Sequence, residues 1–227
     1  KPNIILIATY SRTRIKKIVN SLKNISFEVK SGENLGIIGR NGSGKSTLLR
    51  VLAGIYYING GNININGEAI YLSKNGLGLR KRLTMRENIY LIGSIMDLSK
   101  KEINNRFEEI VRFSGLKEYV DTKIYQFSSG MERRLNFSIL INFVKHKNPE
   151  ILLVDEIVDG DIDYDFRKIA LNELKEQLTG NKTSVILVSH EMKYIRKYCK
   201  KVIWLDEGKI KMNGNNKEVI NAYLKEN

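Results

Sequence analysis

The chain has one cysteine, Cys199, so it cannot close an internal disulfide. That fits a reducing compartment. Cys199 has no histidine or cysteine at metal-ligand spacing, and it reads as a reduced structural thiol. Long apolar runs are also missing. Nothing approaches the roughly 20 residues needed to cross a bilayer. Ile4-Ile5-Leu6-Ile7-Ala8 is far too short and reads as a strand, and no signal-peptide pattern is visible. No internal repeat, low-complexity tract or long linker interrupts the sequence. Its 227 residues, 42% of them apolar, suffice for a substantial core in one large domain or one domain with an inserted lobe.

The net charge is +13. Such a surplus suits polyanions, anionic membrane surfaces or nucleotides. The lysines are nevertheless spread along the whole chain, which describes a solvated surface. Arg80-Lys81-Arg82 and Lys145-His146-Lys147 are the tightest basic clusters, and both are short.

Residues 39–46 read Gly-Arg-Asn-Gly-Ser-Gly-Lys-Ser and fit G-x-x-x-x-G-K-[ST] without a mismatch. Gly39, Gly42 and Gly44 permit a tight turn that keeps side chains away from a phosphate chain. With Asn41, Ser43 and Thr47 in and beside the loop, its amides and the helix start behind it form an anion cradle. Lys45 would reach the terminal phosphates, and Ser46 would place its hydroxyl on Mg²⁺. The context agrees. Leu35-Gly36-Ile37-Ile38 reads as a buried strand entering the loop, and Ser46 to Ala53 has helical apolar spacing, stopped by Gly54.

Residues 4–72 look β-rich, with strands expected at Ile4–Thr9, Ile25–Val29, Ile63–Ile65 and Ala69–Leu72. Asn66-Gly67 between the last two reads as a hairpin turn. Residues 87–146 read helical. Ser99-Lys-Lys-Glu102 is a capping box, followed by apolar positions at helical spacing up to Gly115. A second helix is expected from near Ser128 to about Val144, before Pro149. After it come buried strands at Ile151–Val154 and Val185–Val188 with a helix of about 164–178 between them. A hairpin (Val202–Leu205, Ile210–Met212) and a helix at Asn216–Leu224 complete the chain. The expected fold class is α/β, with a helical insertion between the glycine loop and the second acidic strand.

Ile151–Val154 ends in Asp155-Glu156. Beside a phosphate loop, Asp155 would hold the Mg²⁺ shell, and Glu156, one residue further on, could polarise an attacking water. Ser128, in Phe127-Ser128-Ser129-Gly130-Met131, can cap the second inserted helix, while Gly130 keeps its backbone accessible.

Gly39–Ser46, Phe127–Met131, Ile151–Glu156 and Ser189-His190 stand in the order of the Walker A, signature, Walker B and switch-histidine motifs, so nearly the whole chain resembles an ATP-binding cassette protein. The resemblance implies a P-loop NTPase core with an N-terminal antiparallel β-subdomain and an inserted helical subdomain at about 87–146, residues 1–227 forming a single nucleotide-binding domain. It implies that Ser128 and Gly130 contact the γ-phosphate bound to a second copy in an ATP-dependent head-to-tail dimer, and that His190 contacts the γ-phosphate in its own subunit. Tyr10 is the aromatic expected to stack on adenine.

A finer resemblance is carried by Ser-Ser-Gly-Met in place of Ser-Gly-Gly-Gln, by Leu83–Leu91, by Leu98–Ile103 and by the tail Lys217–Leu224. These are similar to the ATPase subunits of bacterial surface-polysaccharide exporters of the O-antigen, capsule and teichoic-acid type, some of which carry a further carbohydrate-binding domain. The implied activity is ATP hydrolysis at the cytoplasmic face of the membrane, peripheral to an integral-membrane permease, with ATP and Mg²⁺ bound and no nucleic acid. The alternative is a soluble cassette ATPase acting on nucleic acid or ribosomes. A third reading, a module that binds ATP without turnover, conflicts with the intact Glu156 and His190. In two places the sequence departs from the family. The Mg²⁺-sensing glutamine is absent from the corresponding stretch Tyr71–Asn75, and the loop after Glu156 has several aspartates, so that either Asp161 or Asp163 could serve as the cross-dimer residue.

Overall fold

The computed structural model describes residues 2–14, 17–73, 78–157, 166, 168, 170, 172, 173 and 183–226, with the backbone alone up to residue 20. Two compact units emerge. The first comprises Lys1–Leu72, Pro149–Glu156 and Glu176–Asn227, and the second Ser73–Asn148 and Ile157–Lys175.

The first unit holds two sheets. β1 (Pro2–Arg14) runs antiparallel between β2 (Lys17–Lys30) and β4 (Gly60–Ile65). The six-stranded sheet combines β3 (Asn34–Ile38), β5 (Ala69–Ser73), β6 (Ile151–Asp155), β7 (Ser184–Val188), β8 (Lys201–Asp206) and β9 (Lys209–Asn215) in the order β5-β6-β7-β3-β8-β9. β6, β7, β3 and β8 run parallel, and β8 and β9 close as an antiparallel hairpin. β6 and β7 are buried throughout, which explains their unbroken apolar runs: a parallel strand covered on both faces has no polar side. Leu35, Ile37, Leu153 and Ile186 pack with Leu48 and Leu52 of α1 (Lys45–Leu52). Each such buried side chain contributes roughly 1.5–3 kcal/mol.

The expectation of a hairpin at Asn66-Gly67 is corrected. β4 pairs with β1, whereas β5 lies beside β6, so the chain changes sheets at this turn. Contacts distant in sequence decide the matter. Glu68 donates its N–H to the Glu150 carboxylate (2.8 Å) and accepts from Ile151 N–H (3.1 Å), which ties the turn to the start of β6. Gly67, at φ 103°, lies so close to Glu150 that a Cβ would sit 2.6 Å from that side chain.

The second unit is helical: α2 (Met85–Ile95), α3 (Lys100–Ser114) and α4 (Ser129–Lys147). The capping box of α3 forms as expected, and α2 carries a second one, Thr84 with Glu87. α3 ends at Gly115 in the left-handed region, and Arg134 of α4 donates to the last-turn carbonyl of Ser114 at 3.0 Å. Ile89, Ile103, Ile110, Leu135 and Phe143 form this unit's core. α4 is buried over much of its circumference, and two of its polar side chains bond within the helix: Asn142 donates to Ser138 O (2.8 Å), and Ser138 to Arg134 O (2.6 Å). Residues 166, 168, 170, 172 and 173 are helical, in keeping with a helix over 164–178, whose remaining positions lie outside the described residues.

The basic clusters are engaged rather than bare. Lys81 pairs with Glu132, Lys145 with Glu173 and His146 with Glu102. Among the described residues, no helix is long and apolar enough to cross a membrane.

Candidate functional site

Three neighbouring parallel strands deliver their C-terminal ends to one place. Ile37 of β3 and Asp155 of β6 both stand beside Val188 of β7. The glycine loop follows β3, Glu156 follows β6, and His190 follows β7. Carboxyl ends of parallel strands are where such sheets bind ligands.

The loop could not be built from other residues. Gly39 (φ 150°) runs so close to β8 that a Cβ would lie 2.2 Å from the Leu205 carbonyl oxygen. Gly44 (φ 108°) caps α1 in the left-handed region, and no side chain makes a capping hydrogen bond there. Ser43 O accepts from Gly208 N–H (3.0 Å), and Gly208 O accepts from Lys23 N–H (2.7 Å), so the loop is tied to the β8–β9 turn. Asn41, Gly42, Gly44, Lys45, Ser46 and Thr47 line a cleft of about 470 Å³ that Glu156 also reaches.

Lys45 is only 6% exposed, and its ammonium donates to the carbonyls of Gly39 (2.8 Å) and Arg40 (3.0 Å). A buried cation needs such partners, and neutral carbonyls are weaker ones than an anion would be. The Ser43 hydroxyl is buried without a hydrogen-bond partner. A buried polar atom in that state is costly and is a mark of a binding site. An anionic ligand on this loop would answer both features.

Asp155 is buried, and both its oxygens are occupied. Ser46 donates to Oδ1 at 3.1 Å and Tyr71 to Oδ2 at 2.7 Å. Desolvation, then the hydrogen bond to Asp155, push the Tyr71 phenol well above its ordinary value. Among the described residues no three acidic, histidine or cysteine side chains cluster as a self-sufficient metal cage. Two hard oxygens from Ser46 and Asp155 fit Mg²⁺, which characteristically takes one or two protein oxygens and completes its shell with substrate phosphates and water.

Glu156 has φ 52°, a left-handed conformation costing about 1–3 kcal/mol outside glycine. Two contacts hold it there: its N–H donates to Val188 O at 3.0 Å, and its Oε1 lies 2.8 Å from His190 Nε2. Backbone strain at such a position is itself a functional pointer, and nothing in the sequence pattern signals it.

Of the residues singled out from the sequence, the structure thus gathers Gly39, Asn41, Gly42, Ser43, Gly44, Lys45, Ser46, Thr47, Asp155, Glu156 and His190 within the first unit. Tyr10 lies on β1 opposite Leu22, and its side chain falls outside the described residues. Asp161, Asp163, Lys74 and Asn75 fall outside them as well. Ser128 and Gly130 belong to the second unit. Ser128 caps α4, its hydroxyl accepting from Met131 N–H at 3.2 Å. A Cβ built on Gly130 would meet nothing nearer than the Ser128 hydroxyl, 3.8 Å away, which leaves that helix start open. Tyr71, missed in the sequence as a site residue, carries no motif of its own.

The sequence profile described as ABC transporter matches residues 22–159. The chain belongs to the ABC transporter family. ABC relatives include the teichoic acids export ATP-binding protein TagH of Lactococcus lactis, 37% identical over 95% of this chain and 45% of that protein. The O-antigen export system ATP-binding protein RfbB of Myxococcus xanthus is 35% identical over 93% of this chain and 47% of that protein. RfbB of Klebsiella pneumoniae is 34% identical over 89% and 80% respectively. The chain thus spans less than half the length of the first two relatives. Among solved structures, a dimeric post-hydrolysis state of the ATP-binding cassette MJ0796 bound to ADP and Pi superposes with a TM-score of 0.77, at 22% identity over 94% of this chain and 98% of that one. An ATP-binding subunit of an ABC transporter superposes with a TM-score of 0.78, at 23% identity over 97% and 92%. These two likenesses establish the α/β cassette fold.

Proposed function

We propose that residues 1–227 form a nucleotide-binding domain that hydrolyses ATP and drives an ABC exporter of a lipid-linked surface polysaccharide of the O-antigen, capsule or teichoic-acid type. One observation carries the ATPase reading. A phosphate-sized glycine cradle with a buried lysine, a hydroxyl–carboxylate pair suited to Mg²⁺, and a strained glutamate held by a histidine stand at the ends of three adjacent strands. The names of the relatives support export over the alternative of a soluble cassette acting on nucleic acid or ribosomes.

In this reading Lys45 and the loop amides bind the phosphates of ATP, with Asn41, Ser43 and Thr47 lining the cradle. Lys45 exchanges its two carbonyl partners for phosphate oxygens. Ser46 and Asp155 hold Mg²⁺, which when bound neutralises charge on the phosphates. Glu156 accepts a hydrogen bond from the attacking water and orients it, while His190 steadies both Glu156 and the charge developing on the γ-phosphate. Tyr10 stacks on adenine. Ser128 and Gly130, at the open start of α4, face the nucleotide of a second copy, so ATP joins two chains head to tail and hydrolysis releases them. Closure is driven only by the nucleotide's preference for the closed pair. The partner that uses this cycle is an integral-membrane permease, and the chain works peripherally at the cytoplasmic face.

The test is expression with and without a candidate permease from the same cell. A detergent-stable complex with a polytopic membrane protein, together with Mg²⁺-dependent phosphate release, is the expected result. Phosphate release stimulated by RNA or ribosomes, with no membrane partner, would overturn the export reading.

A further inference from the structure

Tyr71 reaches Asp155 from β5, within the same unit. The chemistry of the two groups fixes the direction of the bond. An ionised carboxylate only accepts, so the phenol proton goes to Oδ2 of Asp155.

The consequence falls on Asp155. To turn Oδ2 toward the cleft, the carboxylate would have to give up the 2.7 Å bond to Tyr71 in a buried setting. Its other oxygen, Oδ1, is the one already beside the Ser46 hydroxyl. We propose that Tyr71 is a positioning residue for the cation site, holding Oδ2 of Asp155 so that Oδ1, next to Ser46, is the oxygen presented to a divalent cation bound with nucleotide. This rests on the reading above that Ser46 and Asp155 hold Mg²⁺. It concerns the strand leading into the stretch Tyr71–Asn75, where this chain lacks the family's glutamine. Outer contacts that orient a metal ligand typically change metal affinity by roughly 10–100-fold when removed.

The experiment uses the full chain with a saturating non-hydrolysable ATP analogue and Mn²⁺ as the probe, free Mn²⁺ being read by electron paramagnetic resonance. Tyr71→Phe removes only the hydroxyl. It is expected to weaken Mn²⁺ binding by roughly tenfold or more, with analogue binding in EDTA and the unfolding midpoint in EDTA close to wild type. Tyr71→Leu, which also removes the hydroxyl, is expected to weaken Mn²⁺ binding to a similar extent and carries the test should the Phe variant fail to fold. Wild-type Mn²⁺ affinity in a folded Tyr71→Phe protein, or in Tyr71→Leu where that variant stands in, overturns the proposal. So does an equal loss of metal-free nucleotide binding, which would indicate general damage. If the wild-type chain binds the analogue but takes up no Mn²⁺ with it, the assignment of Ser46 and Asp155 is at fault, and the role of Tyr71 falls with it.

Discussion

His190 Nε2 and Glu156 Oε1 lie 2.8 Å apart, joining the segments that follow two adjacent parallel strands. The glutamate is mostly enclosed, with 12% of its side chain exposed, whereas the histidine is 44% exposed. The carboxylate is therefore oriented by a partner that itself faces solvent or an incoming ligand.

Glu156→Gln preserves the size of the side chain and removes its basicity. It is expected to bind ATP with wild-type affinity, to accumulate as an ATP-bound dimer, and to release phosphate at least about 10²-fold more slowly. Sedimentation with ATP and steady-state phosphate assays read the two effects separately. Near wild-type turnover would remove Glu156 from the chemistry.

Ser128→Arg places a long cation at the open start of α4, in a helix whose cap it also removes. Loss of a cap costs about 1 kcal/mol, so the chain should still fold. Nucleotide binding by the monomer is expected to be unchanged and ATP-dependent pairing to be lost. An unaltered dimer in sedimentation would count against a role for Ser128 across the pair.

Gly39→Ala sets a methyl group against the Leu205 carbonyl, 2.2 Å from its oxygen, at φ 150°. Backbone must move, because neither atom is at the end of a flexible side chain. A loss of at least about 2 kcal/mol is expected, equivalent to a fall of roughly 4–8 °C in the unfolding midpoint, together with weakened nucleotide binding. Gly42→Ala makes the comparison: a Cβ there meets nothing within 4 Å, so only its φ of 82° resists the change.

The carboxyl of Glu102 is lowered to about 2, first by the Ser99 hydroxyl and then by His146. A carboxylate whose folded value lies below its ordinary 4.5 stabilises the fold above that pH. The contribution is lost as pH falls from there toward 2. Thermal unfolding of the wild type and of Glu102→Gln should therefore differ most near neutrality and converge in acid. A gap that stays constant from pH 7 to pH 3 would contradict the assignment.

Much of the site is legible because its signals are local. The spacing of Gly39, Gly44, Lys45 and Ser46, the acids after Ile151–Val154 and the Ser99–Glu102 capping box each need only a few consecutive residues. The capping box of α2, Thr84 with Glu87, carries an equally local signal. The Asn66-Gly67 turn failed for the opposite reason: its residues specify a sharp turn, while the sheet that receives the next strand is chosen by Glu150 and β6, some eighty positions away. Tyr71 and the left-handed φ of Glu156 were out of reach, since neither alters any periodicity or composition.

The seam joining Ser43, Gly208 and Lys23 has a temporal corollary. On the ribosome, the segment bearing the lysine and serine emerges long before the turn that braces it. Until that late turn arrives, the early segment lacks two of its backbone struts and the carbonyl against which Gly39 is shaped. A nascent chain halted short of residue 208 should thus be blind to nucleotide even though Lys45, Ser46, Asp155, Glu156 and His190 have already been made.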